Sequence, residues 1–346
     1  MFEVITVGSA TLDIFLKGVG KEEILNKNSV HFRGLCVGLG EKNKVKEIFI
    51  QSGGGATNSA TTFARSKLKV SSIFCLGDDI FGKKILKELI LEEIDFSLAL
   101  IRKKILTSLS IILVAPDGSR SILYYKPDPS KVSLKIPFSK IKTKWFYLSP
   151  LNGDLVLFKK ILNYASQKKI FILGNPGAEE ILFLKNHQDY LGYFDIFVLN
   201  QLEASKLTGV SFSKEKEIFQ KLDRLTKNIT IMTKGKKGAI LSTKKFLYQI
   251  PCFPSKKIVD RTGAGDSFAS GFLAGVYFLE KKYPEFFKRK IYQKKPEILL
   301  EAIRYASANA TSVIENFGAK TGILSYQKFK KMSRFKSLPI KISPLT

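Results

Sequence analysis

The chain has 346 residues, with 57 Lys and Arg against 30 Asp and Glu, a formal net charge of +27, and 45% hydrophobic residues. That balance fits a globular chain able to bury one large α/β core or two smaller ones, and excludes a disordered or fibrous one. No apolar run approaches the length of a membrane span, and Cys36, Cys75 and Cys252 are too few and too scattered for a disulfide framework or a zinc site. A reducing cytoplasm is the expected compartment. The lysines are spread over every segment, which reads as compositional bias with some attraction for anionic ligands. Neither a specific nucleic-acid partner nor a membrane partner is expected.

Glu3 to Gly8 reads as a strand and not as a signal peptide, and it runs out through Ser9, Ala10, Thr11 and Leu12 to Asp13. A carboxylate just past a strand end is well placed for ligand contact in an open α/β sheet, although a turn residue has the same look. Residues 14–50 are irregular, with β-like pieces such as Glu47 to Gln51, and predict a small β excursion. In Ser52-Gly53-Gly54-Gly55-Ala56-Thr57-Asn58 the glycines permit close backbone approach, and Asn58 both donates and accepts hydrogen bonds. A helix follows, to Arg65.

Val70 to Leu76 predicts the next strand, ending in Gly77-Asp78-Asp79-Ile80-Phe81-Gly82-Lys83-Lys84. That spacing imitates a Gly-x4-Gly-Lys phosphate loop. It lacks the following Ser or Thr, however, and its two aspartates would repel phosphate. Thr107 to Ala115 and Ser121 to Tyr125 flank Pro116-Asp117-Gly118-Ser119, a hairpin signal of the kind that forms lids over active sites. Strands at Trp145 to Leu148, Ile170 to Leu173, Asp195 to Leu199 and Ile229 to Thr233 then alternate with helical stretches. This rhythm predicts a mostly parallel sheet with helices on both faces.

Asn200 and Glu203 share one face of a first helical turn, and a capping box alone would explain the pair. Thr233 to Ala239 reads as a glycine turn between strands. Asp260-Arg261-Thr262-Gly263-Ala264-Gly265-Asp266 leads into a helix whose Phe268, Phe272, Val276 and Leu279 lie on one face. A glycine turn at a helix N-terminus attracts an anion, so a carboxylate there competes with it. Asp266 is therefore a better candidate for chemistry than for capping alone. Tyr305 to Ala310 places small residues on a helix, and Gly318-Ala319 follows at a helix end. The basic run from Glu280 to Lys295 predicts a solvated loop or short exposed helix, and residues 331–346 a basic tail. His31 and His187 lie in no motif, so histidine catalysis is not expected.

The Asp260 to Asp266 run resembles the C-terminal signature of the ribokinase-like (PfkB) carbohydrate kinase family, whose final Asp is the catalytic base. The Gly54-Gly55 pair with Asn58 resembles its N-terminal signature, and the Gly8 to Asp13 and Gly77 to Gly82 segments resemble further family motifs. The resemblance covers roughly residues 2–327. It implies a three-layer α/β sandwich over residues 1–330, with a small β lid from about 14–50 and 105–126. It further implies ATP-dependent transfer of the γ-phosphate to a hydroxyl of a sugar or sugar derivative. Asp266 would be the base, and Gly263, Ala264 and Gly265 the anion hole. Asp13, Gly54, Gly55 and Asn58 would bind the acceptor, and Thr233, Gly235 and Asn309 the nucleotide. Asn200 and Glu203 would act indirectly on Mg²⁺, and Asp260 and Thr262 would hold a monovalent cation such as K⁺. The lid would be the surface of a homodimer. An adenosine-like nucleoside kinase is the alternative within the family. A nucleic-acid-associated protein that retains the kinase fold is disfavoured by the intact Asp266 and its glycines, and a non-catalytic carbohydrate-binding regulator by the intact Thr233 and Gly235. Gly55 and Thr11 stand where ribokinases carry Lys and Asn, and the small Gly55 suits an acceptor bulkier than ribose.

Overall fold

The computed structural model describes residues 1–19, 21–24, 33–115, 120–128 and 136–345. Successive side chains along a strand point to opposite faces, so apolar runs such as Trp145 to Leu148 are stable only where both faces are covered. The structure meets that requirement with a nine-stranded sheet. Its order is Lys341–Pro344, Phe246–Ile250, Ala239–Ser242, Ile229–Thr233, Ile196–Asn200, Phe171–Gly174, Thr143–Leu148, Phe2–Val7 and Val70–Ile73. The strands from Ile229–Thr233 to Val70–Ile73 are parallel, and the remaining ones antiparallel.

Phe146, Ile172, Phe197, Leu199 and Met232 point to one side, into a core shared with helices Leu155–Lys168, Ala178–Asn186, Gln201–Thr208 and Glu215–Leu225. Trp145, Tyr147, Leu173, Ile196 and Ile231 point to the other, against helices Gly55–Arg65, Ile80–Leu91, Ala264–Lys282 and Leu300–Ile314. The result is the three-layer α/β sandwich that the resemblance implied.

A second, four-stranded sheet has the order Arg120–Tyr125, Leu109–Val114, Thr11–Lys17 and Glu47–Gly53. Phe15, Ile112 and Val114 on one of its faces are buried with Phe317. The register places Ile14 beside Ile50 and Ile111, Leu16 beside Ile48 and Leu113, and Leu123 beside Ile111 on the opposite face. That face is largely uncovered, with Ile48 63% and Leu123 59% exposed. A short antiparallel pair, Lys21–Ile24 with Arg33–Cys36, forms a two-stranded sheet of its own.

Several sequence expectations change here. Asp13 lies inside the Thr11–Lys17 strand and not past a strand end, because the chain turns at Gly8 and at once begins the small sheet. The predicted turn at 116–119, like His31, lies outside the described residues. Residues 331–346 are no mere tail: Phe335 and Leu338 are buried, and Lys341–Pro344 pairs with Phe246–Ile250. The basic run after Lys282 is anchored by Phe286, Phe287 and Tyr292, all in the core, while its lysines and arginine, with Pro284 and Glu285, face solvent.

Helices Ala264–Lys282 and Leu300–Ile314 touch closely because Gly271 and Gly275 face Ala306 and Ala302. A Cβ on Gly275 would lie 2.6 Å from the Ala302 Cα. In an open helix, replacing Gly by Ala stabilises by about 1 kcal/mol. Here the backbone contact reverses the sign, and Gly275→Ala is expected to lose about 1–3 kcal/mol in urea denaturation, as overpacked cores do. An unfolding midpoint at or above that of the parent would show that the helices can part without cost.

Candidate active site

In a parallel sheet the strands' C-terminal ends and the following helix N-termini converge on one edge, where ligands bind. Two such N-termini meet here. Gly54, at φ 94°, precedes helix Gly55–Arg65, and a Cβ on it would lie 2.5 Å from the Ser9 carbonyl oxygen. Gly263, at φ 75°, precedes helix Ala264–Lys282, and a Cβ there would lie 2.5 Å from that of Ala319. Positive φ with a blocked Cβ position explains why glycine is needed at both points. A Cβ on Gly265, by contrast, would meet nothing within 4 Å. The start of this helix therefore opens onto free space, and no side chain caps it. Its N–H groups and the positive end of the helix dipole are available to an anion.

Asp266 is half-buried in the first turn of that helix, and its Oδ2 accepts a 2.9 Å hydrogen bond from Asn58 Nδ2. Burial pushes the Asp266 carboxyl above its ordinary value, while Asn58 pulls it back. A carboxylate with a raised pKa is a stronger base than a solvated one, which suits proton abstraction. Asn58 is itself 4% exposed, and its Oδ1 has no partner among the described residues. An unpaired buried acceptor costs free energy, so this oxygen is matched to a donor that arrives from outside. The two signature motifs are thus physically joined.

Asp13 is buried on the inner face of the small sheet and accepts from Thr11 Oγ1 at 3.0 Å. Burial raises its pKa, against hydrogen bonds from Ser110 and Thr11 and the charge of Lys320. Lys320 is a functional candidate that sequence reasoning missed. It is 4% exposed and donates to Ser52 Oγ at 2.5 Å, while Ser52 donates in turn to Glu88. Burial pushes the Lys320 ammonium down to about 8, against the pull of Glu88, Asp13 and Glu92. Its one sequence signal was a lysine set among small residues, Gly318 to Gly322, in a chain with lysines everywhere.

Gly55 does not free space for a bulky acceptor. A Cβ there would lie 2.5 Å from that of Ser149, so the room it leaves is already filled. A separate cavity of about 300 Å³, mixed polar and apolar in lining, adjoins Gly54 through Ser9 and Ala10 and is lined by residues that include Ser108, Tyr124, Asn152, Leu151 and Leu157.

On the other side of the helix start lies a mostly apolar cavity of about 520 Å³. Thr233, Gly235, Pro251, Phe268 and Thr311 line it, and it runs out to Ala264 and Gly265 at the anion-binding turn. Asn309 does not belong to it. That residue points the other way along its helix, accepting from Leu324 N at 2.8 Å and facing Gly271, while Ser307, Ala310 and Ile314 face the cavity.

Asn200 stands at a strand end directly beside Thr233. It forms a complete capping box with Glu203: Glu203 N donates to Asn200 Oδ1 at 2.9 Å, and Asn200 N to Glu203 Oε2 at 2.8 Å. Among the described residues no three His, Cys, Asp or Glu side chains group as a metal cage. A lone carboxylate at the strand ends fits Mg²⁺, which keeps most of its waters and binds mainly through phosphates.

Asp260 is 3% exposed and fully engaged. Its Oδ1 accepts from Thr262 N at 3.0 Å, Thr262 Oγ1 at 2.7 Å and Arg120 Nη1 at 3.1 Å, and its Oδ2 accepts from Gly318 N at 3.1 Å. The expected monovalent-cation site does not fit this arrangement, because a guanidinium already stands at the carboxylate.

Known proteins resemble this chain in sequence and in fold. The ribokinase of Haemophilus influenzae is 27% identical over 286 residues, covering 81% of this chain and 86% of that protein. The cytidine kinase of Thermococcus kodakarensis is 29% identical over 231 residues, covering 64% and 79%. In fold, the nucleoside kinase of Methanocaldococcus jannaschii superposes with a TM-score of 0.70 at 19% identity, covering 97% of this chain and 98% of that one. Arabidopsis thaliana ribokinase, complexed with ribose and ATP, superposes with a TM-score of 0.71 at 19% identity, covering 97% and 99%. The family model described as pfkB family carbohydrate kinase matches residues 27–325, a span that holds both glycine motifs and the Asn58–Asp266 contact, and the chain belongs to that family.

Proposed function

We propose that the protein is an ATP-dependent kinase that transfers the γ-phosphoryl group to a hydroxyl of a sugar or sugar derivative, with Asp266 as base. The observation that carries this reading is the Asn58–Asp266 hydrogen bond of 2.9 Å, which holds a carboxylate of raised pKa between an acceptor-binding turn and an open anion-binding helix end. ATP lies with its base in the apolar cavity along Phe268 and Thr311, and its phosphates pass Thr233 and Gly235 toward the Ala264 and Gly265 N–H groups. The acceptor lies between Asp13, Gly54 and Asn58, under the small sheet acting as a lid. Asp266 takes the proton of the attacking hydroxyl, and the fixed N–H dipoles stabilise charge that develops on the transferred phosphoryl group. Glu203 and Asn200 would hold Mg²⁺ through its waters, and the ion would supply neutralisation of the phosphate oxygens. Residues 1–330 with the closing C-terminal strand form the one catalytic unit. The uncovered aliphatic face around Ile48, Ile50 and Leu123 suits a homodimer formed through the lid. Among the described residues no helix is long and apolar enough to cross a membrane, and the cytoplasm remains our assignment.

A nucleoside acceptor is the second reading. The cavity beyond Ser9 and Ala10 favours it, since Tyr124 and Asn152 offer a ring face and an amide to a group larger than a pentose.

Asp266→Asn keeps the shape and removes the base, so turnover should fall about 10²–10⁴-fold while ATP affinity stays within a factor of three. A coupled assay over ribose, fructose, cytidine and adenosine measures this, and near-parental turnover would remove Asp266 from the mechanism. The raised pKa also sets a pH dependence. A base works only when deprotonated, so kcat/KM should fall on acidification through a limb that lies above the ordinary Asp value. Asn58→Leu deletes the hydrogen bond that lowers this pKa, so the limb should move to higher pH. Movement to lower pH would contradict the assignment.

A further inference from the structure

Asp260 knits the anion-binding turn together, because its two oxygens hold the amides of Thr262 and Gly318 from either side. A carboxylate 3% exposed requires a positive counter-charge. Arg120 supplies it, with Nη1 at 3.1 Å from Oδ1 and its side chain 28% exposed. Arg120 begins the Arg120–Tyr125 strand, at the edge of the small sheet and 140 positions away in the chain.

The same sheet also docks on the segment just past Gly318. Gln51 Nε2 donates to Thr321 Oγ1 at 3.1 Å, Gln51 Oε1 accepts from Lys320 N at 3.3 Å, and the Phe49 ring lies tilted with its centroid 6.3 Å from that of Phe317. These contacts fix the sheet's position, but only Arg120 among them brings a charge to Asp260. A free cation at the same oxygen would stand against the guanidinium, and like charges at that range repel.

We infer that Arg120 takes the place of a monovalent cation at Asp260, so that docking of the small sheet, and not metal binding, completes the anion-binding turn. Arg120 is a positioning residue, acting through Asp260 on the Thr262 to Gly265 backbone. The inference rests on that turn being the phosphoryl site, but its test does not.

The test follows amide hydrogen exchange in the parent, Arg120→Ala and Arg120→Lys, in potassium chloride and in choline chloride at equal ionic strength. The parent should give the same exchange at Thr262 and Gly318 in both salts. In choline, Arg120→Ala should exchange these amides about tenfold faster, as expected on stripping the partner from a buried carboxylate. Potassium should restore them while leaving residues 120–125 unprotected, a split that a purely structural tether would not produce. Arg120→Lys keeps a charge and should stay within a factor of three of the parent, and Arg120→Gln replaces the alanine variant if that one does not fold. Potassium-dependent protection in the parent, or parental exchange in Arg120→Ala in choline, overturns the inference. Failure of the kinase reading would appear separately, as a parent that phosphorylates no sugar or nucleoside while its exchange pattern stands.

Discussion

Asn58 and Asp266 are 208 positions apart, and the 2.9 Å bond between them can form only if two helix N-termini face each other across the edge of the sheet. Much of the architecture serves that encounter. The parallel strands bring Gly8, Ser149, Asn200 and Thr233 to one edge, and the two positive-φ glycines let the helices start abruptly there. Gly271 and Gly275 then allow helix Leu300–Ile314 to press against the helix that carries Asp266 from behind. Side chains larger than hydrogen at these points would push the carboxylate away from its partner, and catalytic geometry is sensitive to displacements on that scale.

Electrostatics at the site follow from exposure more than from net charge. Ion pairs that join two exposed partners, such as Lys67 with Glu93, are worth little. The consequential charges are the buried ones. Lys320 stands near Asp13 and Glu88 on one side of the site, and Asp260 pairs with Arg120 on the other. The small sheet carries Asp13 and Arg120, so both sides of the site depend on where that sheet lies.

Local chemistry made the glycine motifs, Asp266, Asn58 and the strand-helix rhythm legible in the sequence, because each depends on neighbours within a few residues. What the sequence hid was set by long-range packing. Asp13 belongs to a strand whose partners lie at Glu47–Gly53 and Leu109–Val114, and nothing near it announces that pairing. Asn309 sits in a helix whose small residues point to the right cavity, yet the helical turn directs the amide to the opposite side. Lys320 and Arg120 are two of 57 basic residues; burial separates Lys320 from the rest, and the contact with Asp260 separates Arg120. Gly55 looked like vacated space because Ser149 is remote in sequence and adjacent in the fold.

The position of the Phe2–Val7 strand bears on how the chain reaches this state. It lies between Val70–Ile73 and Thr143–Leu148, so neither of its neighbours is local. Parallel pairings across such separations form slowly, and they leave apolar strands unpaired while they form. Partly folded chains in that condition tend to associate through those strands. A chain with net charge +27 meets its own copies with strong mutual repulsion, which keeps such intermediates apart during the search. The excess lysines, which contribute little to the finished fold, thus act on the crowded and transient population that precedes it.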